Sequence, residues 1–297
     1  MINIHVLGNG TPMYAIKSLI EVNPEEFAEQ VKVTCFGDHF LNSVFVRKID
    51  QYPSIDNIIK SADVVVCTEP EYELLGIVEK CQEFEKPLFC RFNLENAIPE
   101  SGTIMDGLNV ENAASDLWIN RLVETTENLL EIKHFIGLHK LHDDGDDALP
   151  GVSIEEYQEA TQNVTGQPSV VKIERNYYFK SEIDQLDING VKVSTNWIVD
   201  TDSLDAMKFD PQSEFVFHTT RIVHDKSLNS SQVIKHSHFH VPARRSVSAW
   251  QYANTCVLAS FVHMYLHNNL PKDCRDYADA DHNLFTKNKF GRIFRIT

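Results

Sequence analysis

No apolar run in the 297 residues is long enough to cross a bilayer, which takes about twenty consecutive apolar positions. The N-terminus lacks a basic segment followed by an apolar stretch and a small-residue cleavage site. No secretory leader is therefore expected, and a cytoplasmic location is the simplest reading. Positive charge is scarce, with 27 Lys and Arg against 43 Asp and Glu and a net charge of −16. That argues against nucleic acid as a partner, because phosphates demand a basic face. The excess acid serves solubility, and a local basic pocket for a small anion stays open. The six cysteines, at 35, 67, 81, 90, 256 and 274, form no C-x-x-C and no zinc-finger spacing. Cys35, Cys67 and Cys90 sit in apolar strand-like runs, as small buried hydrophobes do. Internal repeats and low-complexity tracts are absent. A hydrophobic content of 42% and a charged content of 24% then describe a soluble globular chain of one large domain or two ordinary ones.

What is present begins at residue 2. Ile2, Ile4 and Val6 alternate with polar residues, Leu7 leads into Gly8-Asn9-Gly10, and a helix-like stretch runs from Met13 to Val22. Strand, glycine turn and helix open a Rossmann unit. Its glycines let the backbone approach a pyrophosphate, and the helix N-terminus offers N–H donors and a positive dipole end. The third glycine of G-x-G-x-x-G is replaced by Met13, and the motif alone leaves a ligand-free turn open.

A second strand, Val31 to Asp38, ends in an acid. An acid there commonly accepts hydrogen bonds from the adenosine ribose and repels a 2′-phosphate, so NADH is slightly favoured over NADPH. A short helix is expected over 54–61, a buried strand over 62–67, a helix over 71–85 and a strand over 88–90. This alternation implies a doubly wound parallel sheet. Its ligand edge would carry Gly8 to Met13, Asp38, Thr68 to Pro70 and Arg91. Residues 96–111 read as loop and 114–130 as one long helix.

The rest of the chain changes character. A strand over 134–138 runs into a polar segment, His139 to Asp147, with two histidines, a lysine and four aspartates. That mixture suits either proton donation or a plain acidic loop. Residues 153–163 read as helix. From Ser169 the pattern is β, over 170–173, 177–179, 191–199 and 215–223, and Asn189-Gly190 marks a hairpin. Ile234, His236, His238 and His240 share one strand face. No further ligand is evident, so substrate contact or an oligomer surface is favoured and no metal is expected. Arg244-Arg245 can fork an anion. Residues 248–266 read as an amphipathic helix and 290–296 as a last strand. The expected fold is therefore α/β: a Rossmann-like doubly wound domain over 1–117, completed by 243–297, and an α+β domain with a mixed or antiparallel sheet over 118–242.

The order of these parts resembles the dihydrodipicolinate reductase (4-hydroxy-tetrahydrodipicolinate reductase) family. Gly8-Asn9-Gly10-Thr11-Pro12-Met13 is similar to its G-x-G-G-R-M-G. Cys67-Thr68-Glu69-Pro70 is similar to F-T-x-P, and Phe217-His218-Thr219 to G-E-H-T. Phe239-His240-Val241-Pro242-Ala243-Arg244-Arg245 is similar to T-H-K-A-S-S-R. The resemblance implies cofactor contacts at Gly8, Gly10, Thr11, Pro12, Met13, Asp38, Thr68 and Pro70. It implies proton donation by His139 with Lys140 and His142 beside it, and substrate contacts from His218, Thr219, Arg244 and Arg245. It also implies NADH or NADPH, a small-molecule substrate and a homotetramer, with neither nucleic acid nor membrane as partner.

The departures fall at the chemistry. Aligning His139 with the family's histidine puts Asp143 where its lysine belongs, and the P-S-G-T loop becomes Gly145-Asp146-Asp147-Ala148. Two readings follow. One is a reductase of a cyclic imine or unsaturated carboxylate with a divergent substrate; the other is a non-catalytic binding or assembly protein on the same scaffold. A two-domain dehydrogenase of sugars or amino acids ranks last, because Arg91-Phe92-Asn93 carries no lysine.

Overall fold

The computed structural model describes residues 1–8, 10–37, 54–68, 74–94, 102–125, 129–139, 170–174, 186–188, 191–200, 215–224, 233–239, 249–271, 274 and 276–294. The chain forms two compact units, Met1–Leu117 with Tyr252–Arg295, and Trp118–Gln251 with Ile296–Thr297.

The first unit is built on a parallel sheet. Its strands are β1 (Ile2–Leu7), β2 (Val31–Phe36), β3 (Val64–Cys67), β4 (Leu88–Cys90) and β5 (Ile104–Met105), in the order β2-β1-β3-β4-β5. Helices α1 (Gly10–Glu21), α2 (Ile55–Ser61) and α3 (Leu74–Glu83) alternate with the strands, which is the doubly wound α/β arrangement. Strands covered on both faces read as unbroken apolar runs, and all four residues of β3 are buried. β5 lies inside the stretch read as loop. Two residues are too few to show a period, yet both are buried and pair with Leu88 and Phe89. Ser54 caps α2, its Oγ accepting from Asn57 N at 3.3 Å.

After β5 the chain makes a π-helical turn, Val110–Ala114, and enters α4 (Ser115–Thr125). The long helix expected to Leu130 stops five residues early. Leu129 and Leu130 belong instead to β6 (Leu129–His139), which pairs with strands on both sides. Leu-Leu fits a helical or an extended pattern equally, and the pairing of Leu129 with His224 on β10 carries the strand that far.

Near the C-terminus, α5 (Ala249–Leu266) departs from the amphipathic expectation. Every residue from Ala253 to Met264 is buried, as in a helix apolar all round. Its polar members are bonded inward. Asn254 Oδ1 accepts from Val110 N at 2.8 Å, and Ser260 Oγ donates to Asn288 Oδ1 at 3.2 Å. α6 (His282–Lys287) follows, capped by Asp281. The tail turns as a 3-10 helix, Gly291–Phe294, rather than forming a strand. Asn288 Oδ1 gathers the N–H groups of Phe290 and Gly291 at 3.0 and 2.8 Å. A Cβ at Gly291 would lie 1.9 Å from the Phe285 carbonyl oxygen, so only glycine allows this fold-back.

The second unit holds a mixed sheet of β6, β7 (Val170–Glu174), β8 (Leu186–Ile188), β9 (Val191–Asp200), β10 (Phe215–His224) and β11 (Val233–Phe239). The order is β11-β10-β6-β9-β7, with β8 on β9. Only β6 and β9 run parallel. Ile188 pairs with Val191 in the antiparallel ladder of β8 and β9, and Asn189-Gly190 lies outside the described residues. The register places Ile132, His134, Ile136, Leu138, Val193, Thr195, Trp197 and Val199 on one face, and Glu131, Lys133, Phe135, Lys192, Ser194, Asn196 and Ile198 on the other. Ile132 is fully buried. The helix expected over 153–163 and the strand over 177–179 lie outside the described residues.

His263, on α5, has 8% of its surface exposed. Its ring stacks on His267 with centroids 4.1 Å apart and meets Phe27 and Phe290. Burial, helped by the neighbouring His267, pushes its imidazole down to about 4, against a weaker pull upward from Glu26. A depressed histidine favours the folded state while neutral. That stability is complete above the unfolded value of 6.5 and is lost as pH falls towards 4. The loss is on the order of 3 kcal/mol. Urea unfolding between pH 7 and pH 4 should therefore show a steep acid limb that His263→Leu flattens. An unchanged limb in the variant would mean that His263 carries none of it.

Candidate functional site along the carboxyl edge of the parallel sheet

In an open parallel sheet, ligands bind outside the carboxyl ends of the strands, where the strand order reverses. Here the reversal lies between β1 and β3. The edge carries Gly8 after β1, Gly37 after β2, Thr68 after β3, Arg91 after β4 and Asp106 after β5. These residues come from five separate stretches of sequence, and the sheet alone sets them in one row.

Gly8 has φ 154°, a conformation that a residue with a Cβ rarely adopts. Its N–H donates to Phe36 O at 3.2 Å, and α1 starts two residues later at Gly10. No acid stands in the first turn of α1, so nothing there opposes a phosphate at the helix N-terminus. Pro12 removes one N–H from that turn at no cost to the helix, because the first N–H groups have no partner within it. Met13, at the place of the third glycine, is buried, and its carbonyl accepts from Cys35 Sγ at 3.6 Å. Its side chain fills core.

Thr68 is buried, and both its N–H and its hydroxyl donate to Leu7 O, at 2.9 and 3.5 Å. It ties the ends of β1 and β3 together at the switch point. Beneath the same edge, Cys67 and Cys90 pair across β3 and β4. The contact with Cys67, together with burial, pushes the Cys90 thiol up. Burial likewise holds Cys81 at about 12. High thiol values disfavour the thiolate that nucleophilic or redox chemistry needs, so these cysteines are structural.

The β4 end is held by a network of amides. Arg91 N donates to Cys67 O at 3.0 Å, and Arg91 O accepts from Asn109 Nδ2 at 3.0 Å. Asn109 Oδ1 in turn accepts from Asn112 N at 2.8 Å, and Asn112 Nδ2 donates to Asn93 Oδ1 at 3.1 Å. Arg91 is 7% exposed, with its guanidinium 5.4 Å from the Phe92 ring centre. Asp106 accepts from Leu94 N, and burial raises its carboxyl. Sequence reasoning placed Arg91 on the edge but gave it no role, and it passed over Asp106 because β5 was read as loop. The run Ile104-Met105-Asp106, apolar residues ending in an acid, was the available signal.

The remaining candidates fall on the second unit or outside the described residues. His139 is the last residue of β6 and pairs with Phe215. Thr219 lies on the same sheet face as His139, whereas His218 takes the opposite face beside Ile136. His218 and Thr219 therefore do not present one common surface. Asp38, Pro70, Lys140, His142, Arg244 and Arg245 lie outside the described residues, and so does His240. Among the described residues there is no group of three His, Cys, Asp or Glu arranged to hold a metal ion. There is also no helix among them long and apolar enough to cross a membrane.

Asn109 satisfies two buried backbone groups at once, the Arg91 carbonyl and the Asn112 N–H. Asn109→Leu should cost about 2 kcal/mol in urea unfolding, because both groups would lose their partner in a buried site. A change below about 0.5 kcal/mol would show that water replaces the amide there.

No family model matches the chain, and no curated protein matches it. Solved structures do. Apo saccharopine dehydrogenase (L-Glu forming) from Saccharomyces cerevisiae superposes with a TM-score of 0.69 at 9% identity, covering 99% of this chain and 96% of that one. An engineered D-amino acid dehydrogenase superposes with a TM-score of 0.50 at 11% identity, covering 96% of each. At this identity the likeness establishes a shared fold and nothing more. It does not single out the dihydrodipicolinate reductases.

Proposed function

We propose that the chain is an NAD(P)H-dependent reductase acting on a cyclic imine or an unsaturated carboxylate, with a substrate that diverges from that of the dihydrodipicolinate reductases. The observation that carries this reading is Gly8 at φ 154° between the end of β1 and the start of α1, at the switch point of the sheet. The fold shared with two dehydrogenases supports it.

In this reading the N–H groups at the start of α1, with Gly8 and Gly10, receive the pyrophosphate, and Thr11, Pro12 and Met13 shape the turn. Asp38 holds the adenosine ribose, which favours NADH. Thr68 and Pro70 border the crevice at β3. Thr68 acts by holding the ends of β1 and β3 together, since both its N–H and its hydroxyl are engaged with Leu7. The cofactor, when bound, supplies a hydride. The chain's own task is to orient the acceptor and to deliver a proton. His139 delivers that proton, as a group titrating near neutrality can. Lys140, His142, Thr219, Arg244 and Arg245 hold an anionic substrate group, and His218 stands beside Thr219 in sequence. The assembly is a homotetramer in this reading.

The alternative is a binding or assembly protein that keeps the scaffold without turnover. The observation favouring it is the departure at the chemistry, where Asp143 stands at the lysine position of the reductase motif and Gly145-Asp146-Asp147-Ala148 replaces P-S-G-T.

Titration of the purified chain with NADH and NADPH, followed by tryptophan and nicotinamide fluorescence, should show micromolar binding with NADH tighter. Gly8→Ala should weaken it about tenfold or more, since a Cβ strains that turn. No binding of either nucleotide at millimolar concentration would refute the reductase reading. In a screen of cyclic imines with NADH, His139→Ala should lower turnover about a hundredfold or more while leaving NADH binding unchanged. Tight NADH binding without turnover on any imine or unsaturated carboxylate would favour the binding protein.

A further inference from the structure

The amino ends of β4 and β5 border a cleft in the first unit, at the opposite end of these strands from Arg91 and Asp106. It holds about 340 Å³ and is lined by Gln82 at the end of α3, Glu85 and Lys86 just after it, Thr103 before β5 and Tyr265 in the last turn of α5. Small-molecule sites span roughly 300–1,000 Å³. Two helices end against this cleft in the same way. At α3, Lys86 N donates to Cys81 O at 2.7 Å and Glu85 N to Gln82 O at 3.1 Å; at α5, Asn269 N donates to Met264 O at 2.8 Å and Asn268 N to Tyr265 O at 3.0 Å. Both are Schellman ends, with a left-handed residue just past the helix. That residue is Glu85, φ 52°, at α3 and Asn268, φ 55°, at α5. Glycine is usual there and asparagine tolerates it, so a glutamate at the cleft is kept against backbone strain.

Charge decides what the cleft can hold. Helix carboxyl ends carry partial negative charge, and the Glu85 carboxylate adds a full one, so this side favours a cation. Lys86 supplies one positive charge for an anion. Glu85 and Lys86 adjoin in sequence yet form no pair. The side chains of Gln82, Glu85, Lys86 and Tyr265 make no hydrogen bond or ion pair among the described residues, and all four are at least partly exposed. Burial raises the Tyr265 hydroxyl, which keeps it a donor. Tyr265 is held from behind, its ring edge-on to Phe89 with centroids 5.5 Å apart. Pro87 and Ile104, both buried, give the cleft an apolar floor. A simple anion would meet Glu85 and two helix ends, and a simple cation would meet Lys86. A molecule with both charges satisfies all of them: its ammonium at Glu85 and the helix ends, its carboxylate at Lys86 and the Tyr265 hydroxyl, through charge-assisted hydrogen bonds.

We propose that the cleft between the ends of α3 and α5 binds a small zwitterion, an α-amino acid with an aliphatic side chain, at a site separate from the carboxyl edge of the sheet. The test is calorimetric titration of the full chain, without nucleotide, with L-leucine and with its single-charge analogues isocaproate and isopentylamine. Leucine should bind in the submillimolar range, and each analogue about tenfold more weakly or worse, because each leaves one charged partner unmet. Lys86→Gln and Glu85→Gln should each weaken leucine binding about fivefold or more. Glu85→Gly should raise the urea midpoint, since glycine suits a positive φ, and yet weaken leucine as Glu85→Gln does. That split separates a ligand contact from a helix cap. No leucine binding at millimolar concentration would overturn the proposal. So would an analogue that binds as well as leucine, or unchanged leucine binding in both Lys86→Gln and Glu85→Gln, which would place the amino acid elsewhere. NADH binding should be the same in these variants, so the outcome is independent of the reductase reading.

Discussion

Everything at the candidate site depends on β1 being held in parallel register between β2 and β3. Ile2 to Leu7 pairs residue for residue with Val31 to Phe36 on one side, and Ile4 to Leu7 with Val64 to Cys67 on the other. The last rungs of both ladders fall at Leu7. There Gly8 N reaches back to Phe36 O, and Thr68 donates twice to Leu7 O. The glycine turn is thereby fixed at the point where the strand order reverses. A one-residue slip of β1 would turn its buried residues to the wrong face and carry Gly8 away from the crevice. The packing of Ile4 and Val6, both fully buried, thus sets the accuracy of the turn that would meet a nucleotide.

The first unit was legible because its signals are local and mutually consistent. Alternation and then glycine at residues 2 to 10, the short helical stretch over 54–61, and an apolar run at β3 each specify one element. Together they admit one topology. The failures occurred where non-local contacts decide. Leu129 and Leu130 satisfy a helical pattern, yet they join β6, where Leu129 finds a partner in His224 on β10 that the local sequence does not announce. α5 departs from its amphipathic reading at Asn254, Ser260 and His263, which are buried among its apolar residues. Each of these polar residues turned out to face buried surroundings, and two of them have hydrogen-bond partners far away in sequence. The tail was read as a strand from Ile293, Phe294 and Ile296. Asn288 and the missing Cβ of Gly291 fold it back instead.

The candidate site shows the same division. Gly8 and Thr68 were placed at strand ends from sequence and lie there, Thr68 as a clasp between strands rather than as a free hydroxyl. Met13 was assigned a cofactor contact through its place in a motif, and its side chain lies in the core. Asp106 was missed because a two-residue strand leaves no period to detect. In the second unit the pattern of alternating strands was plain. Strand pairing was not, and only pairing shows that His218 and Thr219 part to opposite faces while Thr219 and His236 come together.

The first unit is assembled from both ends of the chain, with residues 118–251 forming a separate body between its two segments. The bond from Val110 N to Asn254 Oδ1 spans 144 positions. During synthesis, the parallel sheet must therefore leave the ribosome well before α5 exists to complete its core. Until then, apolar residues destined for that core are uncovered, and closing so long a loop is slow. The intervening body can fold while the sheet waits. The interval between making β5 and making α5 is therefore when this protein is most open to aggregation or chaperone capture.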